Sequence, residues 1–156
     1  MLRISKLADY GTMVTAYMAR RPDQFVNAGE IAQALHLGRP TVSKILKMLG
    51  RATLVVSARG AAGGYTLARA PKLITVAEII DAIEGQPFGL TECSATDGLC
   101  AQEDNCIIRG NWRRINGAVR RVLEEVSLAD MIRPLPARAP GHAPTRNVQL
   151  RQRKRS

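Results

Sequence analysis

Three cysteines lie close together in a chain that contains no others, and their thiols are the side chains best suited to chemistry. They are Cys93, Cys100 and Cys106, in the spacing C-x6-C-x5-C. Three thiolates can hold zinc or an iron–sulfur cluster together with a fourth ligand. An odd number of cysteines cannot all pair within one chain. This argues against a disulfide scaffold and favours a cytoplasmic protein with metal-binding or reactive thiols.

The cysteine spacing alone leaves the bound group open. It lacks both the tight Cys-x2-Cys pairs of most zinc sites and the Cys-x2-Cys-x2-Cys run of ferredoxins. The intervening residues are small or polar, as in a loop that wraps around a ligand. A thiol redox sensor, or three cysteines without a function, fits the same spacing. Cys106 is expected just before or at the start of a long helix, whose positive dipole end favours a thiolate.

The formal net charge of +10 is distributed unevenly along the 156 residues. Residues 1–76 carry 11 basic and 3 acidic side chains, a net charge of +8. Residues 77–133 carry 6 basic and 10 acidic side chains, a net charge of −4. Residues 134–156 carry 6 basic side chains and no acidic one (net +6), together with 4 prolines. The basic first half favours a polyanionic partner, most simply nucleic acid. The last segment is expected to be a disordered basic tail.

Several classes of protein do not fit the sequence. No apolar run approaches the roughly 20 residues that span a bilayer, and the N-terminus lacks a secretory apolar region. No set of nucleophile, base and acid is evident, and the two histidines, His36 and His142, lie outside any motif. We therefore expect no membrane association, no small-molecule substrate and no enzymatic activity. An electron carrier would leave the basic first half without a purpose.

A helix-turn-helix pattern precedes the cysteines. Apolar residues at helical spacing predict a first helix over about 5–20. A second helix starts at Asn27, whose side chain can cap it while Glu30 reaches back as in a capping box, and Gly38 stops it. Pro40 suits the first turn of a third helix. The buried stripe of that third helix is Val42, Ile45, Leu46 and Leu49.

A β-hairpin and a fourth helix are predicted next. Residues 54–59 and 65–67 are typical of strands on either side of a Gly-rich turn. A hairpin that follows a helix-turn-helix is the winged-helix arrangement. Thr75 and Glu78 then form a capping-box signature, and Gly85 ends that helix.

Residues on the third helix and in the hairpin turn are candidates for contact with double-stranded DNA. The N-terminal end of a recognition helix meets base edges in the major groove, and residues farther along it meet phosphate. Arg59 and Gly60, at the tip of the hairpin, could enter a minor groove. The candidate DNA-binding residues are Arg39, Thr41, Ser43, Lys44, Lys47, Arg51, Arg59 and Gly60.

A long helix follows the cysteines and carries an apolar seam with heptad-like spacing. Such a seam favours pairing with a second copy of the chain. The residues of this dimerisation seam are Ile108, Trp112, Ile115, Val119, Val122 and Val126.

The predicted fold is mainly α-helical with a small β-hairpin, and it has four parts. A winged helix-turn-helix head occupies residues 1–85, and a cysteine-rich, cluster-binding loop occupies residues 86–106. The long dimerisation helix with a short following turn covers residues 107–133, and the basic tail covers residues 134–156.

The whole pattern resembles the Rrf-two family of bacterial winged-helix regulators, over about residues 1–133. The likeness rests on Ser-Lys-Leu-Ala-Asp-Tyr-Gly at 5–11, on Val-Ser-Ala-Arg-Gly-Ala-Ala-Gly-Gly-Tyr at 56–65 and on the three-cysteine loop. The opening residues 1–10 look most like the branch that regulates the SUF iron–sulfur assembly operon. The resemblance implies a homodimer on a palindromic operator, and a 2Fe–2S or 4Fe–4S cluster held by the three cysteines.

The fourth cluster ligand differs among branches of this family. IscR-like members have a His three residues after the third Cys, where this chain has Arg109, which cannot ligate. NsrR-like members use an Asp of the partner subunit that precedes Tyr and Gly, and Asp9 matches this motif here. The resemblance therefore implies Asp9 of the partner subunit as the fourth ligand. The other candidates are Asp97, Glu103, Asp104 and His36.

Overall fold

The computed structural model describes residues 4–60, 63–98 and 100–134, and the predicted tail lies outside this description except for Pro134. The predicted fold class is confirmed, with seven α-helices, two strands and two short 3-10 turns among the described residues. No described helix is both long and apolar enough to cross a membrane. The α-helices are α1 (Lys6–Ala19), α2 (Ala28–Leu35), α3 (Arg39–Arg51), α4 (Val76–Glu84), α5 (Glu92–Ala95), α6 (Arg109–Glu125) and α7 (Leu128–Ile132).

The helix-turn-helix forms around the predicted stripe of α3. Its four aliphatic side chains are fully buried, in one core with Val14 of α1 and Ile31 of α2. The Ser5 hydroxyl caps α1 by accepting a hydrogen bond from the Ala8 N–H. Pro40 lies in the first turn of α3, as predicted, where its missing N–H costs nothing.

The two ends of α2 differ from the prediction. Asn27 caps the helix by accepting from the Glu30 N–H, but the Glu30 carboxylate accepts from the Tyr17 hydroxyl instead of completing a capping box. Partial burial and this hydrogen bond raise the pKa of Tyr17 above its ordinary value. The helix ends at His36, in the left-handed conformation (φ 53°), and Gly38 is the N-cap of α3. The predicted stop at Gly38 was therefore wrong by two residues. A polar residue such as His36 tolerates the left-handed conformation better than a branched residue does.

The hairpin is tied to the helix-turn-helix by a third extended segment. Strands β1 (Val55–Ala58) and β2 (Gly64–Leu67) pair antiparallel. The Val26 N–H donates to the Tyr65 C=O over 3.0 Å, and the Tyr65 N–H donates to the Val26 C=O over 2.9 Å. This bridge fixes the hairpin, the wing, beside the start of α2 at a point near the hairpin's turn.

Helix α4 packs closely across α1. A Cβ on Gly11 would lie 2.7 Å from a side-chain carbon of Ile83, so glycine permits the helices to approach this closely. The predicted capping box of α4 is confirmed: Thr75 and Glu78 each cap the other's backbone. Burial pushes the pKa of Glu78 upward, but hydrogen bonds from Arg69 and from the Thr75 N–H outweigh it and hold the pKa below its ordinary value.

The C-terminal end of α6 is fastened to this head. The Val76 N–H donates to the Val126 C=O over 2.9 Å, and the Leu128 N–H donates to the Ile74 C=O over 2.8 Å. The Leu128 side chain, at the start of α7, is fully buried in the head's core. The long helix therefore has one end fixed to the DNA-binding part of the chain.

We predict that Gly64→Ala weakens the fold more than Gly60→Ala. Both glycines have positive φ (154° and 110°), but a Cβ on Gly64 would lie 2.7 Å from the Val26 carbonyl oxygen, whereas one on Gly60 meets nothing within 4 Å. Both substitutions place a side chain on a backbone with positive φ, but only Gly64→Ala adds the collision with Val26. Gly64→Ala should lower the free energy of unfolding in urea by about 2 kcal/mol or more, since strained backbone alone costs about 1–3 kcal/mol. Equal losses in the two variants would contradict this.

Candidate DNA-binding face and cysteine segment

The outward side of α3 is basic. Arg39, Lys44, Lys47 and Arg51 are exposed, while Thr41 and Ser43 are half-buried beside them. Among the described residues, none of these four cations forms an ion pair. The N-cap residue of α3 is Gly38, which has no side chain that could cap the helix. The N-terminal N–H groups of α3 are therefore left without a side-chain cap. Such a helix end and such cations suit phosphate and base contacts.

The wing places its predicted contacts at the far end of β1. Arg59 and Gly60 are exposed, and residues 61 and 62 of the turn lie outside the described part. A Cβ on Gly63 would lie 2.4 Å from the Ala58 C=O, so glycine is needed for the chain to turn here. The Gly63 N–H closes the turn on the Gly60 C=O over 3.0 Å.

The cysteine segment, residues 86–106, begins in a structured turn. Cys93 lies in α5, and its side chain is outside the described part of the structure. A Cβ on Gly89 would lie 2.3 Å from the Ala95 Cβ, so the chain folds back tightly on α5. Cys93 is therefore placed by a compact backbone rather than by an open loop.

The other two cysteines lie farther along this segment. Cys100 and Cys106 are half-buried free thiols, and Cys106 lies three positions before the first residue of α6. Among the side chains that the structure describes, no three His, Cys, Asp or Glu residues come close enough to hold a metal ion. Cys93 is not among those side chains, so the structure leaves the predicted three-cysteine set untested.

The local acidic candidates for a fourth ligand differ in their surroundings. Asp97 accepts from Arg109 over 3.5 Å and forms an ion pair with Arg113. Asp104 is exposed, and the Glu103 side chain lies outside the described part. Asp97 therefore has two guanidinium partners, although its own side chain is 74% exposed.

Asp9 is exposed on α1, at the edge of a groove of about 380 Å³. Tyr10 packs against the core and Gly11 is the close contact with α4, so within this motif Asp9 is the exposed member. The other residues lining this groove are Ile4, Lys6, Thr12, Val76, Ile80 and Met131. His36 is exposed at the end of α2.

The predicted seam of α6 is only partly covered by the rest of the chain. Ile108, Ile115 and Val122 are 50%, 44% and 59% exposed, and Trp112 and Val119 are half-buried. Val126 differs, because it packs against the head's core and belongs to the fixed end of the helix. The alternative that the seam packs on its own core therefore does not hold for Ile108, Ile115 and Val122.

A face of α6 that flanks the seam makes contacts with the chain's own body, where Leu123 and Val126 also pack against the core. Asn116 is 8% exposed, accepts from the Leu90 N–H and donates to the Ser94 C=O, both over 3.0 Å. Arg120 forms an ion pair with Asp81 of α4 over 2.8 Å, and hydrogen bonds to Glu124 and Asp81 raise the pKa of its guanidinium. Sequence periodicity missed both residues, since a polar helix face is expected to meet solvent.

Comparison with known proteins shows what this chain is similar to. The family model Rrf2, described as an iron-dependent transcriptional regulator, matches residues 4–134. The transcriptional regulator NsrR of Bacillus licheniformis is 27% identical over 84% of this chain and 92% of its own length.

Two solved structures share both sequence and fold with the chain. CymR, the global cysteine regulator of B. subtilis, is 31% identical with a TM-score of 0.65, over 85% of this chain and 97% of CymR. IscR of T. potens is 28% identical with a TM-score of 0.65, over 84% of this chain and 86% of IscR. These relatives are transcriptional regulators, which confirms the expectation that the chain is not an enzyme.

The family match extends over the head, the cysteine segment and the long helix together, so it includes every element that the sequence marked as functional. The chain belongs to the Rrf2 family of transcriptional regulators.

Proposed function

We propose that the chain is a homodimeric repressor that binds operator DNA and senses through an iron–sulfur cluster held by the cysteine segment. The observation that carries the proposal is a three-cysteine segment joined to a basic helix-turn-helix head. The regulated genes we propose are those of SUF iron–sulfur cluster assembly, on the resemblance of residues 1–10 to that branch.

DNA binding is assigned to the eight candidate residues of α3 and the wing. The unpaired cations of α3 can neutralise phosphate without first breaking ion pairs within the described part of the chain. The Val26–Tyr65 bridge holds the wing in a fixed position relative to the start of α2. Helix α3 and the wing can therefore contact the same DNA duplex without moving relative to each other.

Substitutions on α3 should separate base contacts from phosphate contacts. Lys44→Ala should weaken binding to an operator selected from random DNA by about 1–3 kcal/mol and relax base preference at one position per half-site. Lys47→Ala should weaken binding to all sequences and reduce the salt-dependence slope by about 1 per protomer. Fluorescence anisotropy at several salt concentrations measures both effects. Lys72→Ala is the charge-matched control, because Lys72 is exposed but lies in neither α3 nor the wing, and a loss as large as that of Lys47→Ala would contradict the assignment.

Dimerisation is assigned to the aliphatic seam of α6. Three of its side chains are about half exposed in the single chain, and burying such side chains against a second copy removes apolar surface from water. Two identical helices with this seam can cover each other. A dimer would also present two α3 helices to a palindromic operator.

A charge introduced into the seam should separate the two copies. Val122→Lys places an ammonium group where the seam would be desolvated, so we expect a monomer at micromolar concentration. Sedimentation equilibrium measures the mass. Leu73→Lys is the control, because Leu73 is 57% exposed against 59% for Val122 but lies outside α6. A dimer with unchanged dissociation constant in Val122→Lys would rule out this interface.

The cluster is assigned to Cys93, Cys100 and Cys106, with Asp9 of the partner subunit as the fourth ligand. Three closely spaced thiols fit the donor set of such a cluster. A hard carboxylate beside soft sulfur donors would leave the bound iron open to oxidation or nitrosylation, which suits a sensor. Asp9 is exposed on a groove lined mainly by apolar side chains, and unlike Asp97 it forms no ion pair within the described part of the chain.

The second candidate function keeps DNA binding but uses the cysteines as a thiol or zinc switch. It is favoured by Cys100 and Cys106 being half-buried free thiols, and by the likeness to CymR. Arg109 lies three residues beyond Cys106, and its N–H donates to the Cys106 C=O.

Protein purified without oxygen should distinguish the two functions. We expect visible charge-transfer absorbance with stoichiometric iron and sulfide, lost in Cys93→Ala and lost or shifted in Asp9→Ala. Asp104→Ala is the matched control and should leave the spectrum unchanged. A colourless protein that takes up no iron and sulfide, yet still binds the operator, would support the thiol or zinc switch. An unaltered spectrum in Asp9→Ala would remove Asp9 from the ligand set.

A further inference from the structure

We infer that Asn116 and the Asp81–Arg120 ion pair are positioning groups that connect the Cys93-bearing turn to the DNA-binding head. This rests on the proposed function, because it assigns the residues through which the state of the cysteine segment reaches α3. Neither Asn116 nor the ion pair is a candidate ligand or DNA contact. They act through the backbone of residues 88–94.

Asn116 holds the turn that carries Cys93. Its amide accepts from the Leu90 N–H and donates to the Ser94 C=O, and these two backbone groups lie on either side of Cys93. Asn116 is the buried residue of α6, a helix that the structure describes in full. A buried amide with two satisfied backbone bonds fixes the orientation of both partners. The turn and α6 are therefore expected to move together.

Asp81 extends this connection into the head. Its carboxylate accepts from the Phe88 N–H over 2.8 Å and pairs with Arg120, which lies one helical turn after Asn116. Asp81 belongs to α4, and α4 packs against both α1 and α3. A continuous set of hydrogen bonds therefore joins α5, α6 and α4.

The geometry favours movement at one end of α6. Its C-terminal end is bonded to the head through Val126, and the Leu128 side chain anchors the following turn in the core. Its N-terminal half is held by Asn116 and by the cysteine segment. A rearrangement of that segment would thus change the angle of α6 about its fixed end.

The experiment compares Asn116→Ala with Asn111→Ala, the same change at an exposed position of the same helix. The first readout uses the reduced, iron-free protein. Loss of two backbone hydrogen bonds should speed amide exchange at residues 90–95 about tenfold and raise the alkylation rate of Cys93 relative to Cys106. Exchange in α2 and α3 should stay as in the wild type, because their hydrogen bonds are not touched.

The second readout is the ratio of operator affinities in the iron-loaded and iron-free states. Asn116→Ala should move this ratio toward 1 by about fivefold while one of the two states keeps its wild-type affinity. Asp81→Asn should also move this affinity ratio toward 1. Asn116→Asp retains the acceptor for the Leu90 N–H, so its ratio should fall between those of the wild type and Asn116→Ala. Unchanged exchange at 90–95 overturns the positioning role. Faster exchange with an unchanged ratio overturns the coupling. A wild-type ratio of 1 refutes cluster sensing, while the exchange rates still decide the positioning role.

Discussion

The long helix α6 turns the side that carries Asn116, Arg120 and Leu123 toward its own chain and leaves Ile108, Ile115 and Val122 exposed, and the arrangement of the other elements depends on this orientation. A buried polar group is costly unless it is hydrogen-bonded. Asn116 meets that requirement with two backbone groups of the cysteine segment, and the half-buried Arg120 pairs with Asp81. These contacts fix the rotation of the helix about its axis. Ile108, Ile115 and Val122 are then left outward, where a second copy of the chain can cover them.

Helix α4 lies between the DNA-binding elements and the cysteine segment. On one side it crosses α1 at Gly11, with Ile79, Ile80 and Ile83 in the core, and on the other it presents Asp81 to α6 and to the Phe88 N–H. Close packing makes the head respond as a unit rather than deform locally. A displacement at Asp81 would therefore reorient α3 and the wing together. This is the kind of rigid movement that changes the spacing between two recognition helices in a dimer.

Local sequence signals predicted the elements well, because each acts within one turn of helix or one strand. The α3 stripe, the Thr75–Glu78 capping box and the Gly85 stop depend on neighbours three or four residues away. The contacts that periodicity missed join distant parts of the chain: Val26 with Tyr65, and Asn116 with Leu90. An Asn on a polar helix face gives no signal of burial in one sequence, since its partner is a backbone group. The cysteine spacing likewise predicts a site without specifying what occupies it.

A ligand from the partner subunit would link cluster binding to dimerisation. Asp97 lies within the cysteine segment, and its carboxylate is paired with Arg109 and Arg113. Asp9 lies instead on α1, at the edge of an apolar groove formed with Ile80 and Met131. If each cluster draws Asp9 from the other copy, a complete ligand set exists only in the dimer. Dimer formation would then strengthen cluster binding, and cluster binding would strengthen the dimer by the same free energy. Loss of the cluster would loosen the contact between the two heads as well as change the angle of α6, so both effects would lower the affinity for a palindromic operator.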